Sequence, residues 1–117
     1  MSLKIYEYKN CGTCRKALKF LEGRKIRYEK IQIREKPPTK AELKKMLGYV
    51  GDIRKLFNTS GQDYKAMNMK EKIPKMSESE ILELLSSHGN LVKRPFVLTP
   101  KAGWVGFQEE VWKKNLG

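Results

Sequence analysis

Leu3-Lys4-Ile5-Tyr6-Glu7-Tyr8-Lys9-Asn10-Cys11-Gly12-Thr13-Cys14-Arg15-Lys16-Ala17-Leu18-Lys19-Phe20-Leu21-Glu22-Gly23 changes its hydrophobic period halfway along. Leu3, Ile5, Tyr6 and Tyr8 read as a short apolar strand that ends at Lys9-Asn10. From Gly12 onward Ala17, Leu18 and Leu21 recur at helical spacing, and Gly23 stops the run. A second strand is expected over 27–33, where Tyr28, Ile31 and Ile33 alternate loosely with charges. Strand, helix and strand in this order make one βαβ unit with a parallel pair. The change of period therefore sets two cysteines at a strand-to-helix junction.

That junction matters chemically. The first N–H groups of a helix have no intrahelical partner, and the helix dipole is positive at that end, so a thiolate is favoured there over a thiol. Lys9 before the motif and Arg15 and Lys16 after it add positive charge around Cys11. The thiolate is the nucleophile, which makes Cys11 the attacking residue. Cys14 lies one helical turn later on the same side, where it resolves a mixed disulfide and is less exposed than Cys11. The same spacing occurs as half of a four-ligand zinc site, but the chain has only these two cysteines and one histidine, His88. A pair of inert buried thiols would need both sulfurs covered in a connecting loop. CxxC directly after a strand in a βαβ context is a redox signal.

Beyond the second strand, Pro37-Pro38 breaks the pattern and Thr39 with Glu42 forms a capping box. The helix it opens carries Leu43, Met46 and Leu47 on one face and is expected to stop near Gly48. Asp52 caps a short helix through Leu56-Phe57, and short helical turns are expected over 64–68 and 69–73. Ser77 and Glu80 form a second capping box for a helix over 78–87, with Ile81, Leu84 and Leu85 inward. Phe96-Val97-Leu98, a turn at Pro100-Lys101-Ala102-Gly103, and Trp104-Val105-Gly106 read as an antiparallel hairpin, followed by a helix over about 108–115. Short strands cannot bury themselves separately, so all of them share one sheet.

Composition narrows the function. The chain has 117 residues with 39% hydrophobic content, enough for one domain with its own core. No run approaches the roughly 20 apolar residues of a membrane span. A strand pattern from Leu3 leaves no room for a signal peptide, so a cytoplasmic protein is expected, where a CxxC pair is not a structural disulfide. The net charge of +12 comes from lysines spread along the chain, with no basic run or zinc-finger spacing. It reads as a solvated face, and neither direct nucleic-acid binding nor membrane binding is expected. Arg94-Pro95, just before the strand at Phe96, is the second feature. From the residues alone this bond is open to both isomers; a cis bond would mark a functional turn, with Arg94 as an anion-binding fork.

Taken together, Cys11-Gly12-Thr13-Cys14-Arg15-Lys16-Ala17, Pro37-Pro38 before a helix, Asn58-Thr59-Ser60-Gly61, Lys93-Arg94-Pro95 and Gly106 before the last helix resemble the arsenate reductase–Spx (ArsC/Spx) family of thioredoxin-like proteins. The resemblance covers essentially the whole chain. It implies an α/β fold: a thioredoxin-like four-stranded mixed sheet, with a helical insert over about 38–90 between the βαβ and ββα halves of a single domain, 1–117. It also implies a cis-proline opposite the cysteine and a bacterial cytoplasmic setting.

The function implied is a small thiol–disulfide reductase similar to glutaredoxin-dependent arsenate reductases. Cys11 attacks and Cys14 resolves; Gly12, Thr13, Arg15, Asn58, Arg94 and Pro95 surround the substrate or anion. No bound cofactor is implied, and reducing equivalents come from glutathione or a glutaredoxin or thioredoxin system. Arg94 matches one oxyanion-binding arginine of these enzymes. Two further arginine positions fall on Asn58 and Phe107, and a histidine position falls on Glu7, which weakens an arsenate site because charge-assisted bonds are the strong ones. The alternative implied is an Spx-like redox-sensing regulator binding the C-terminal domain of the RNA polymerase α subunit, with Gly51 at the place of a glycine in that contact. A monomer is expected in either case.

Overall fold

The computed structural model of the chain describes residues 3–9 and 11–116. β1 (Lys4–Glu7), α1 (Gly12–Gly23) and β2 (Glu29–Gln32) form the first unit. α2 (Lys40–Val50), α3 (Gln62–Ala66), α4 (Met69–Lys72) and α5 (Glu78–Ser87) follow, interrupted by tight 3-10 turns at Ile53–Leu56, Ile73–Lys75 and Gly89–Leu91. β3 (Phe96–Leu98), β4 (Gly103–Val105) and α6 (Glu109–Leu116) close the chain. The sheet order is β2-β1-β3-β4, with β1 parallel to β2 and antiparallel to β3, and β3 antiparallel to β4. This is the mixed four-stranded sheet expected from the sequence.

Because strand side chains alternate, the sheet divides its apolar residues between two layers. Leu3, Ile5 and Val97 pack with Ala17 and Leu21 of α1 and Trp112 of α6. Tyr6, Phe96 and Leu98 pack on the other side with Leu43 and Met46 of α2 and Leu82 and Leu85 of α5. Helices on both faces explain why β3 is buried at all three positions, where a half-solvated strand would alternate.

Both capping boxes form: Thr39 with Glu42 at the start of α2, and Ser77 with Glu80 at the start of α5. Three details differ from the sequence expectation. α2 runs through Gly48 to Val50 and ends at Gly51, which takes the left-handed conformation (φ 81°) that only glycine adopts cheaply. Gly48 has open space around it, so it is carried inside the helix without clash. β2 is shorter than 27–33, because pairing with β1 covers only Glu29 to Gln32. In α5 it is Leu82, with Ile81 and Leu85, that is fully buried, while Leu84 packs partly against the same core. Gly89 allows the insert to close on β2, since a Cβ there would overlap the Ile33 carbonyl oxygen.

Candidate active site

Cys11 is the N-cap of α1, held in extended backbone conformation (φ −96°, ψ 114°). Its backbone N–H donates to the Tyr8 carbonyl at 3.0 Å, and its own carbonyl accepts the Arg15 N–H at 3.1 Å. Its Sγ accepts the Cys14 backbone N–H at 3.2 Å, so the sulfur occupies the place of a capping oxygen. Among the described residues, the N–H groups of Gly12 and Thr13 donate to no other group. A Cβ on Gly12 would meet nothing within 4 Å, so the space in front of this turn is open. Thr13 and Arg15 are exposed beside it.

The two thiols differ sharply. Both are unpaired as disulfides; Cys11 is half-buried and Cys14 is 0% exposed. Burial pushes the Cys14 thiol up to about 12; its bond to Cys11 and the negative charges of Cys11 and Glu7 add to the rise, and the Tyr8 backbone N–H only partly offsets it. Cys14 being the less exposed thiol agrees with the expectation drawn from helix geometry.

The Arg94-Pro95 peptide bond, open to both isomers from the residues alone, is cis. Pro95 leads directly into β3, whose Phe96 pairs with Tyr6, and its carbonyl accepts the Gly106 N–H at 2.9 Å. The Arg94 guanidinium lies 5.0 Å from the Tyr8 ring centroid, and its Nη1 is buried without a hydrogen-bond partner. Arg34 stacks on the same ring at 4.9 Å and donates to the Tyr8 hydroxyl at 2.8 Å. Tyr8 thus joins the dithiol turn, through its backbone, to two arginines, through its ring. Sequence reading missed Tyr8 and Arg34. The signal available was the parallel β1–β2 pairing, whose register, continued past Glu7–Gln32, sets Ile33 beside Tyr8 and Arg34 one residue further on.

The remaining expected positions lie apart or are committed elsewhere. Asn58 is half-buried, and its bonds go to Leu91, Ser60 and Gly61 rather than to α1. Phe107 stacks on Trp112 at 4.8 Å and on Phe20 at 5.8 Å, so the place of a second anion-binding arginine belongs to the aromatic core. Glu7, at the place of the histidine, is only 3% exposed. Among the described residues, no group of three or more His, Cys, Asp and Glu side chains is arranged to hold a metal ion. No helix is long and apolar enough to cross a membrane. A cleft of about 560 Å³ beside β4 is walled by Tyr49, Arg54, Lys93, Trp104 and Trp112, with no dithiol residue in its lining.

Comparison with known proteins agrees with this geometry. A sequence model of the ArsC family matches residues 6–115. The chain is 48% identical to the uncharacterized protein YusI of Bacillus subtilis (strain 168), over 98% of each chain. It is 30% identical to the regulatory protein MgsR of the same organism, over 90% of this chain and 82% of MgsR. The crystal structure of an ArsC family related protein from Bacteroides fragilis superposes with a TM-score of 0.91 at 41% identity, covering 97% of both chains. Arsenate reductases and Spx transcriptional regulators both occur among the more distant relatives. A family match across nearly the full length, together with the shared thioredoxin-like sheet, makes this chain a member of the ArsC family.

Proposed function

We propose that the chain is a thiol–disulfide reductase of the ArsC family in which arsenate is not the favoured substrate. The observation that carries this reading is the pairing of a half-buried Cys11 sulfur on the open N-terminus of α1 with a fully buried Cys14 one turn behind it. In the first step the Cys11 thiolate attacks a disulfide R–S–S–R′, forming Cys11–S–S–R and releasing R′S⁻. In the second, Cys14 attacks Cys11 Sγ, forming the internal disulfide; the Cys11–S–R bond breaks and R leaves as the thiol RSH, the proton coming from Cys14. The Gly12 and Thr13 N–H groups face the developing negative charge. The buried, unpaired Nη1 of Arg94 is a donor for a substrate carboxylate such as that of glutathione, with Pro95 shaping the contact and Arg15 adding positive charge. Glutathione, or a glutaredoxin or thioredoxin, returns the dithiol to its reduced form in the cytoplasm, and no bound cofactor is needed.

Weak arsenate chemistry follows from the same site. Of the arginine positions expected from the family resemblance, only Arg94 is an arginine, Phe107 is locked into aromatic packing, and Glu7 brings a negative charge close to Cys14. Cys11→Ser is expected to abolish disulfide turnover. Cys14→Ser is expected to accumulate mixed disulfides on Cys11, detectable by intact-mass spectrometry after exposure to glutathione disulfide. Turnover by Cys11→Ser at the wild-type rate refutes the reading.

A second reading, a redox-sensing regulator that binds the RNA polymerase α subunit, is supported by one local feature. Gly51, in left-handed conformation, is exposed next to α2's Tyr49, the exposed large hydrophobic among the described residues. A switch works only through differential affinity. Pull-down of the α C-terminal domain by reduced and oxidised protein separates the readings, because equal or absent binding counts against a switch.

A further inference from the structure

β4 is an edge of the sheet, and its outward backbone is unpaired. The Thr99 N–H donates to the Ala102 carbonyl at 2.8 Å, and the Gly106 N–H donates to the Pro95 carbonyl at 2.9 Å. Hydrogen-bonded pairs alternate along an antiparallel ladder, so Val97 and Trp104, midway between these two bonds, form the next hydrogen-bonded pair. The N–H and C=O groups of Gly103 and Val105 therefore point away from β3. Among the described residues, none of those groups has a hydrogen-bond partner. Such an edge is a template for another strand, and proteins commonly blunt it with charge, as the exposed Glu29 and Lys30 do on β2 at the opposite edge. β4 consists of Gly103, Trp104 and Val105 and carries no charge.

This edge opens into the cleft of about 560 Å³ described above. Tyr49, 43% exposed, borders it on the α2 side, and a Cβ on Gly103 would run into its ring. Trp104 and Trp112, with ring centroids 6.3 Å apart, form the wall on the α6 side. At the far end of the strand a Cβ on Gly106 would meet the Lys93 side chain. The charged side chains of the lining are Arg54, Lys55 and Lys93, all exposed, and no carboxylate joins them. Among the described residues none of the three takes part in an ion pair. Asp52, close to them in sequence, is turned onto the Arg54 backbone N–H instead.

The occupant follows from what these groups need. A nucleic-acid phosphate accepts from N–H groups but offers nothing to the outward carbonyls of Gly103 and Val105. A second copy of this chain, paired edge to edge, would set the same cations against each other. An extended peptide supplies both donors and acceptors at the spacing of the strand. We propose that β4 accepts a fifth strand, an extended acidic segment of a partner protein whose backbone pairs with Gly103 and Val105 and whose carboxylates meet Arg54, Lys55 and Lys93. Side chains alternate along the added strand, so carboxylates on one face leave apolar residues on the other for Trp104 and Trp112. No dithiol residue lines the cleft, and binding there requires neither thiol.

The test uses the full chain and a labelled hexapeptide alternating glutamate and valine, with fluorescence anisotropy for affinity and amide hydrogen exchange for register. Bound peptide is expected to protect the Gly103 and Val105 amides and to leave Trp104, already paired with β3, unchanged. Lys55→Glu combined with Lys93→Glu is expected to weaken binding about tenfold, by reversing charge at the rim. Val105→Pro removes one outward N–H without touching the β3–β4 ladder and is expected to weaken binding as well. Urea unfolding shows that both variants are folded. Undetectable binding, or binding without protection at Gly103 and Val105, overturns the proposal. So does an oligothymidylate of equal charge that binds as tightly as the peptide, or a dimer that protects the same amides without it. Cys11→Ser binds the peptide like wild type, so failure at this edge leaves the reductase reading untouched.

Discussion

Two carboxylates flank β1 on opposite faces of the sheet, and the protein treats them in opposite ways. Glu42, on the α2 side, accepts from the Tyr6 hydroxyl at 2.6 Å, the Thr39 N–H at 3.0 Å and Lys4 Nζ at 3.1 Å. Burial pushes its carboxyl up, but the bonds from Tyr6, Thr39 and Lys4 outweigh that and hold it below the usual carboxylate range. Glu7, on the α1 side, is more deeply buried and leaves one oxygen unpaired. Glu42 is fully matched and ties the helical insert to the sheet. Glu7, beside the redox motif on the other face, keeps one buried oxygen unmatched. Full satisfaction marks assembly; incomplete satisfaction, in a fold otherwise well paired, marks chemistry.

The contrast is broken most forcefully at Gly89, which holds the insert face against β2. Gly89→Ala drives a methyl group into the Ile33 carbonyl and is expected to lower stability by about 3 kcal/mol, read from urea unfolding. Glu42→Gln comes next. Losing a charged acceptor shared by three donors is expected to cost about 2 kcal/mol while leaving thiol exchange at the wild-type rate. Because Glu42 is lowered in the folded protein, its contribution is present above the ordinary carboxylate range and is lost as pH falls through its folded value. The wild type therefore loses this part of its stability below about pH 4, and Glu42→Gln shows a flatter acid limb. Thr39→Ala is the mildest change, with about 1 kcal/mol lost from removing one cap. Thr39 and Glu42 share one network, so the double variant is expected to lose less than the sum. Glu7→Leu completes the contrast: it is expected to leave the urea unfolding midpoint no lower, since it removes a buried carboxylate with an unmatched oxygen.

Legibility in the sequence followed the range of the interactions. The strand-to-helix change at Cys11, both capping boxes, the hairpin and the greater burial of Cys14 are set by neighbours within a few residues, and each was readable. The end of α2 was read three residues early, since a glycine punctuates a helix only where the backbone turns left-handed, and that happens at Gly51 rather than Gly48. β2 was read too long because its length is fixed by how much of β1 is available to pair. Tyr8 and Arg34 went unnoticed for the same reason: their contact spans the βαβ crossover.

By itself, then, the sequence determined the order of strands and helices and the place of the dithiol, because periodicity, caps and the CxxC spacing are local codes; the family and its mixed four-stranded sheet came from resemblance across the whole chain. Only the tertiary structure decided which polar groups lose their water. Folding α1 over β1 buries Cys14 and Glu7 together, and closing β3 against β1 brings Arg94 onto Tyr8. Burial and pairing are properties of distant segments brought into contact, and in this protein they separate a structural carboxylate from one set beside the chemistry.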